Sequence, residues 1–160
     1  MTIKPGDRIP SMTLKRWTDG AMREVTTDEL FKGKVVFFGV PGAFTPTCSL
    51  KHLPGFVELG KEFQAKGVVR VVCMAVNDPF VLAAWFRQSG VNGAIEMLPD
   101  GNAELTEAIG LVMDGRGYGM GTRCQRFAMV VEDSVVKSLA VEKQGAFDVS
   151  SAQAVLEHML

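Results

Sequence analysis

The sequence predicts an α/β fold, a mixed central sheet flanked by helices, on three observations. Two apolar, β-branched runs, Val35–Val40 and Val68–Val76, bracket a stretch of helical character. Two further strand-like runs come much later and are joined by a two-residue turn. The chain has 160 residues, 47% of them apolar, which suits one domain, residues 1–160, built on a single sizeable core.

The two early runs read as strands buried on both faces, and Leu53 to Lys66 between them as a helix. Strand, helix, strand implies a parallel pair with a right-handed crossover. Asn77-Asp78-Pro79 ends the second strand and starts a helix reaching about Gln88. Val81, Leu82, Trp85 and Phe86 recur along it at helical spacing and are expected in the core, although Trp85 could also wall a site. Ile95–Leu98 is a short strand closed by the turn Pro99-Asp100-Gly101-Asn102, and Ala103 to Ile109 suits a short helix. Phe127–Glu132 and Val135–Val141, joined by Asp133-Ser134, form a hairpin. Ser150 is the expected N-cap of a last helix, with Gln153 at the capping-box position and Ala152, Val155, Leu156 and Met159 on one face. The alternating glycines of Asp114–Arg123, "DGRGYGMGTR", tempt one toward a phosphate loop, but they lead into a strand rather than a helix N-terminus. An irregular surface loop is expected there.

Seventeen basic and eighteen acidic residues nearly balance, with no like-charged block to suggest nucleic acid or a membrane surface as partner. The start, "MTIKPGDRIP", lacks the apolar core of a signal peptide, and a cytoplasmic protein is expected. Cys48, Cys73 and Cys124 are too far apart for a disulfide scaffold or a zinc cluster, and only His52 and His158 are present. Reduced thiols and no metal are therefore expected.

Cys48 follows a strand and stands near the start of a helix, where free amide donors and the positive end of the helix dipole favour a thiolate. Position alone equally admits a buried, inert thiol. Its company favours activation: Pro41, Gly42, Thr45 and Pro46 make a rigid turn with exposed backbone, poor material for a core. Disulfide exchange at such a turn uses Cys-x-x-Cys; here Thr45-Pro46-Thr47-Cys48 puts threonine in the first place, leaving one thiol with a hydroxyl that can donate and accept.

Pro41-x-x-x-Thr45-x-x-Cys48 resembles the peroxidatic motif of the peroxiredoxins. The longer string "GVPGAFTPTCSLKHLPGF", with "VNDPF" at Val76–Phe80 and "RCQRFAMVVED" at Arg123–Asp133, is similar to the type II, peroxiredoxin-5-like branch, and the likeness runs nearly the length of the chain. The resemblance implies a thioredoxin-like fold and a thiol peroxidase that reduces hydrogen peroxide and small organic hydroperoxides, with Cys48 passing through a sulfenic acid. It implies that Arg126 completes the site with Pro41 and Thr45, that Gly42 and Phe44 face substrate, and that no metal or prosthetic group takes part. It also implies a homodimer and an external thiol donor, glutathione with glutaredoxin or thioredoxin. The resolving cysteine that some members carry near the C-terminus has no counterpart, since Gly145–Ser151 reads "GAFDVSS". A glutathione-dependent thiol oxidoreductase and a non-catalytic redox sensor or chaperone are the rival readings.

Elementary kinetics bears on the same assignment. Lowering a thiol pKa from about 8.5 to about 6 raises the thiolate fraction at neutral pH roughly thirtyfold. A Brønsted coefficient of about 0.4–0.5 takes back roughly tenfold or more in nucleophilicity. Fixed donors must supply the rest by stabilising the breaking O–O bond. Arg126, the Thr45 hydroxyl and backbone amides near Gly42 and Cys48 are the available ones. Pro54 should tie the Cys48 turn only weakly to the helix behind it, so that local unfolding there is cheap. His52, four residues after Cys48, could orient a catalytic group or simply pack, and is not assigned as a base. Cys73, flanked by Val72 and Met74, is expected buried with a raised pKa. Cys124 lies two residues before Arg126; an accessible accessory thiol facing the pocket, its pKa lowered by Arg123 and Arg126, stands against a thiol with no redox part.

Overall fold

The computed structural model describes residues 1–91 and 93–160. Its chain begins with a hairpin of β1 (Thr13–Thr18) and β2 (Ala21–Thr26), followed by the single turn α1 (Thr27–Leu30). β3 (Lys34–Gly39) runs into a loop and a π-helical turn, Cys48–His52, which continues as α2 (Leu53–Glu58) and α3 (Gly60–Ala65). Then come β4 (Arg70–Ala75), α4 (Pro79–Gln88), β5 (Glu96–Pro99), α5 (Glu104–Ala108) and the small hairpin β6 (Val112–Asp114) and β7 (Thr122–Cys124). β8 (Phe127–Glu132), β9 (Val135–Val141) and α6 (Ala152–His158) close the chain.

The central sheet has the order β5-β4-β3-β8-β9. β3 pairs with β4, and β4 with β5, in parallel, whereas β8 is antiparallel to β3 and to β9. The expected mixed sheet and its parallel pair are thus present. Because side chains alternate along a strand, the apolar runs of β3 and β4 feed two separate cores. Val35, Phe37, Val72 and Met74 face the layer formed by Ile9, Leu14, Val25, Phe31, Leu105 and Ile109. Val36, Phe38, Val71 and Cys73 face the helices, meeting Leu53, Phe56, Phe63, Leu82, Trp85 and Val155. Cys48 belongs to this helical side. Gly39 leaves the space that the ring of its cross-strand partner Phe127 occupies, since a Cβ there would overlap that ring.

Several local expectations are met and several corrected. Asp78 caps α4, its Oδ1 accepting from the amides of Phe80 and Val81 at 2.8 and 2.9 Å, with Pro79 opening the helix. Leu82, Trp85 and Phe86 are buried as expected, Val81 only partly. The hairpin turn holds Asp133 and Ser134 at φ 49° and 69°, the left-handed pair that a tight two-residue turn requires. The Leu53–Lys66 helix is broken at Leu59 into α2 and α3. The N-cap of α6 is Ser151, whose Oγ accepts from Ala154 at 3.1 Å; Ser150 is buried and engaged elsewhere. Asp114–Arg123 carries no helix N-terminus of the phosphate-loop kind, but its ends form β6 and β7 around a short 3-10 turn, Arg116–Tyr118.

Pro54 explains the π-helical turn. A proline in a helix offers no N–H and its ring clashes with the carbonyl four residues back. Here Leu53 bonds to the carbonyl of Cys48, five residues back, and the widened turn ends where Pro54 opens the regular helix. Between the Cys48 turn and the following helix the hydrogen-bond register therefore changes at Pro54.

Candidate active site

The loop Pro41–Thr47 carries the chain from the end of β3 to Cys48. Ala43 N–H donates to Asn77 Oδ1 at 2.9 Å, tying this loop to the end of β4. Thr45 starts the helical path, its carbonyl accepting from Ser49 at 3.0 Å, and its hydroxyl donates to the Gly42 carbonyl at 2.7 Å. That hydroxyl proton being taken, Thr45 presents acceptor lone pairs to other partners rather than a free donor. A Cβ at Gly42 would stand 3.0 Å from the Arg123 guanidinium and 3.3 Å from the Met120 methyl, close enough that these side-chain ends would have to give by a few tenths of an ångström. Phe44 has φ 66° and is 47% exposed, an uncommon conformation for a bulky residue.

Cys48 is fully buried at the start of the π-helical turn. Arg126, in the short gap between β7 and β8, reaches it: Nη2–H donates to Cys48 Sγ at 3.1 Å. The other arm of the guanidinium, Nη1–H, lies 2.9 Å from His52 Nδ1. Arginine can only donate, so Nδ1 must accept; a carbonyl can only accept, so Nε2, 2.8 Å from Ser150 O, must carry the proton. His52 is thereby fixed as the neutral Nε2–H tautomer, and both ring nitrogens are occupied. Burial, and after it the charge of Arg126, bring its pKa down to about 3. It has no free site with which to act as a base and instead holds the arginine. Phe147 packs edge-on to His52, ring centroids 5.1 Å apart, and lies 5.8 Å from the Arg126 guanidinium carbon.

Ser150 is in turn held by Glu142, whose Oε2 accepts from Ser150 N–H at 2.9 Å, Ser150 Oγ–H at 2.7 Å and Asp148 N–H at 2.7 Å. Burial alone would raise the Glu142 pKa, but these hydrogen bonds outweigh it and keep the carboxyl below its usual range. On the other flank Trp85 Nε1–H donates to Ser49 Oγ at 2.9 Å, fastening the residue after Cys48 to α4. Arg126, which touches the thiol, also lines a cavity of about 610 Å³ together with Pro41, Thr45, Val112, Tyr118 and Met120 among others. Of the residues singled out in the sequence, Pro41, Thr45 and Arg126 line this cavity and Arg126 reaches Cys48, whereas Gly42 and Phe44, expected to face substrate, belong to the same loop but not to the cavity wall, Gly42 serving as acceptor for the Thr45 hydroxyl. Sequence reasoning missed Glu142, Ser150 and Phe147; their only signal was the polar run before the last helix.

A buried thiol touched by a guanidinium that itself lines an open cavity is built to react with a small electrophile and to stabilise charge as a bond breaks. The redoxin family model matches residues 4–156. Peroxiredoxin-2E-2, chloroplastic, of Oryza sativa subsp. japonica is 48% identical over 162 residues, covering 98% of this chain and 72% of that protein. Peroxiredoxin-2B of Arabidopsis thaliana is 41% identical over 157 residues, 97% of each chain. The crystal structure of reduced Prx3 in complex with H2O2 from Vibrio vulnificus superposes with a TM-score of 0.92 at 44% identity, covering 98% of both chains. The chain is a peroxiredoxin.

Its relatives fit the type II branch, and its sheet and helices are the thioredoxin-like fold that the resemblance implied. As a peroxiredoxin it is a thiol-dependent peroxidase, an oxidoreductase acting on peroxides at the expense of thiol reductants. Cys73 of this peroxiredoxin lies in β4 on the helical face, and burial raises its pKa, as expected. Cys124 contradicts the expectation of an accessible thiol lowered by Arg123 and Arg126. It is fully buried in the opposite core from Cys48, its Sγ–H donates to Val40 O at 3.1 Å, and burial pushes its pKa up. The strand register fails because β7 ends at Cys124 and β8 begins at Phe127, so the two-residue spacing to Arg126 crosses a break. Among the described residues no helix is long and apolar enough to cross a membrane.

Proposed function

We propose that Cys48 is the peroxidatic cysteine and reduces hydrogen peroxide and small organic hydroperoxides within one domain, residues 1–160. The ionised sulfur attacks the terminal peroxide oxygen. An S–O bond forms as the O–O bond breaks, leaving sulfenic acid on Cys48 and releasing water or an alcohol once the leaving oxygen takes up a proton. The contact from Arg126 Nη2–H to Cys48 Sγ at 3.1 Å carries this reading. It sets a fixed cation where sulfur and peroxide meet, and no reorganisation is needed as charge moves to the leaving oxygen. Thr45, its hydroxyl proton committed to Gly42, is oriented to accept a proton-bearing peroxide oxygen, while Pro41 and Pro46 shape the entrance. Val112, Tyr118 and Met120 give the cavity apolar wall for an alkyl group. The Vibrio relative, solved with H2O2, supports the same substrate.

Recycling falls to glutathione with glutaredoxin, or to thioredoxin. The sulfenic acid condenses with the donor thiol to a mixed disulfide and water, and a second thiol releases the reduced enzyme. Burial of both Cys73 and Cys124 with raised pKa values favours an external donor. A cytoplasmic homodimer completes the reading: three unpaired thiols fit a reducing compartment, and exposed Phe44, Phe80 and Tyr118 offer apolar surface to a second copy. Replacing Cys48 by serine should abolish peroxide turnover. Arg126→Met should slow single-turnover oxidation on the order of 10²–10³-fold while alkylation by iodoacetamide falls far less. Turnover by the serine variant, or equal losses in the two Arg126→Met reactions, would contradict the assignment.

A further inference from the structure

The grip on Arg126 does not end at His52. Four successive contacts join the sulfur to a carboxylate remote in sequence: Arg126 Nη2–H to Cys48 Sγ, Arg126 Nη1–H to His52 Nδ1, His52 Nε2–H to Ser150 O, and Ser150 N–H and Oγ–H to Glu142 Oε2. Glu142 N–H also donates to Arg126 O at 2.9 Å, so the same residue holds the arginine backbone at one end and the support of its side chain at the other. The relay closes into a ring. Ser150 and His52 are fully buried and Glu142 is 7% exposed, so water is poorly placed to replace a lost member.

We infer that Glu142 and Ser150 are positioning residues for peroxide reduction, acting through His52 to aim the Arg126 guanidinium at Cys48. This rests on the role given to Arg126 above. All three donors to Glu142 Oε2 come from the segment before α6, so the carboxylate fixes where the Ser150 carbonyl stands. That carbonyl takes the Nε2 proton and leaves Nδ1 as the acceptor for arginine. If the carbonyl withdraws, the imidazole can turn or exchange tautomers, and an N–H facing the guanidinium would push it away. A donor out of line by about an ångström costs on the order of a hundredfold in rate.

Glu142→Gln removes the charge with little change of shape. A merely structural Glu142 would lower stability and leave both reactions of the folded enzyme alone. The inference expects single-turnover oxidation of Cys48 by hydrogen peroxide to slow roughly ten- to a hundredfold, with iodoacetamide alkylation at the same pH largely retained. Glu142→Gln combined with His52→Gln should be no slower than His52→Gln alone, because the two act in series. Histidine nitrogen NMR should show the Nε2–H form in the wild type and mixed tautomers in Glu142→Gln. Ser150→Ala, which keeps the carbonyl and removes one donor, carries the same test at smaller amplitude should the Glu142 variant not fold. Wild-type oxidation rates in the folded variants, or losses that multiply in the double variant, overturn the inference. A wild-type oxidation rate in Arg126→Met would instead remove the arginine assignment on which it rests.

Discussion

Acidification should find His52 before any other part of the site. The unfolded chain binds a proton at this residue near pH 6.5, the folded one only near 3, because burial and the Arg126 charge disfavour the imidazolium. The folded pKa of a base is depressed, so the stability that neutral His52 allows is present in full above about 6.5 and lost as pH falls toward 3. Within that window each pH unit removes up to about 1.4 kcal/mol. Between pH 6.5 and 4.5 the loss comes to about 2.3 kcal/mol, a large part of the stability of a domain this size. Glu142, whose pKa is lowered, adds a loss of the same sign, and a reference is needed to separate them. His52→Gln supplies it, since an amide can accept from Arg126 and donate to Ser150 without titrating. Urea unfolding of both proteins at several pH values from 7.5 to 4.5 gives the difference directly. The wild type should lose stability relative to His52→Gln with a slope approaching one proton below about pH 6. Parallel curves would refute the neutral, buried imidazole and with it the tautomer argument.

Trp85→Phe deletes the hydrogen bond to Ser49 and loosens the turn behind Cys48; a cost of about 1 kcal/mol and faster capture of the sulfenic acid by a bulky thiol are expected in stopped-flow mixing, and unchanged capture would mean that the turn opens elsewhere. Cys124→Ser should leave the rate of Cys48 over-oxidation under excess peroxide as it is, with wild-type Cys124 unmodified in intact-protein and peptide mass spectra; protection by Cys124, or a glutathione adduct on it in the folded protein, would restore the accessory role that its burial denies.

What the sequence made legible was mostly local. The β-branched runs around Phe37 and Val72, the Asp78 cap and the Asp133-Ser134 turn each state their geometry within a few residues. The β1–β2 hairpin escaped because its strands, "TLKRWT" and "AMREVT", carry charges that blur the alternation, although Asp19-Gly20 between them is a strong hairpin signal. The motif around Cys48 delivered Thr45 and Cys48, and resemblance delivered Arg126, 78 residues away. Ser150 reads locally as a cap because a serine before an apolar helical face commonly serves as one. Its actual contacts reach His52 across 98 residues and Glu142 across the loop, and no local pattern encodes those. Cys124 failed for a related reason: strand alternation predicts a side only while the strand continues.

Pairing an arginine with a neutral imidazole rather than a carboxylate leaves its charge unspent. Among the described residues neither Asp nor Glu bonds the Arg126 guanidinium, whose partners are His52 and the sulfur. When the Cys48 thiol gives up its proton in the reaction, the sulfur can serve as the counterion, a part that a serine hydroxyl cannot play. A serine at position 48 would therefore be a poor likeness of the reacting enzyme. It would leave an unmatched cation beneath the cavity, ready to gather chloride or a buffer carboxylate, and ligand soaks into such a variant would report on anion affinity more than on the recognition of an uncharged peroxide.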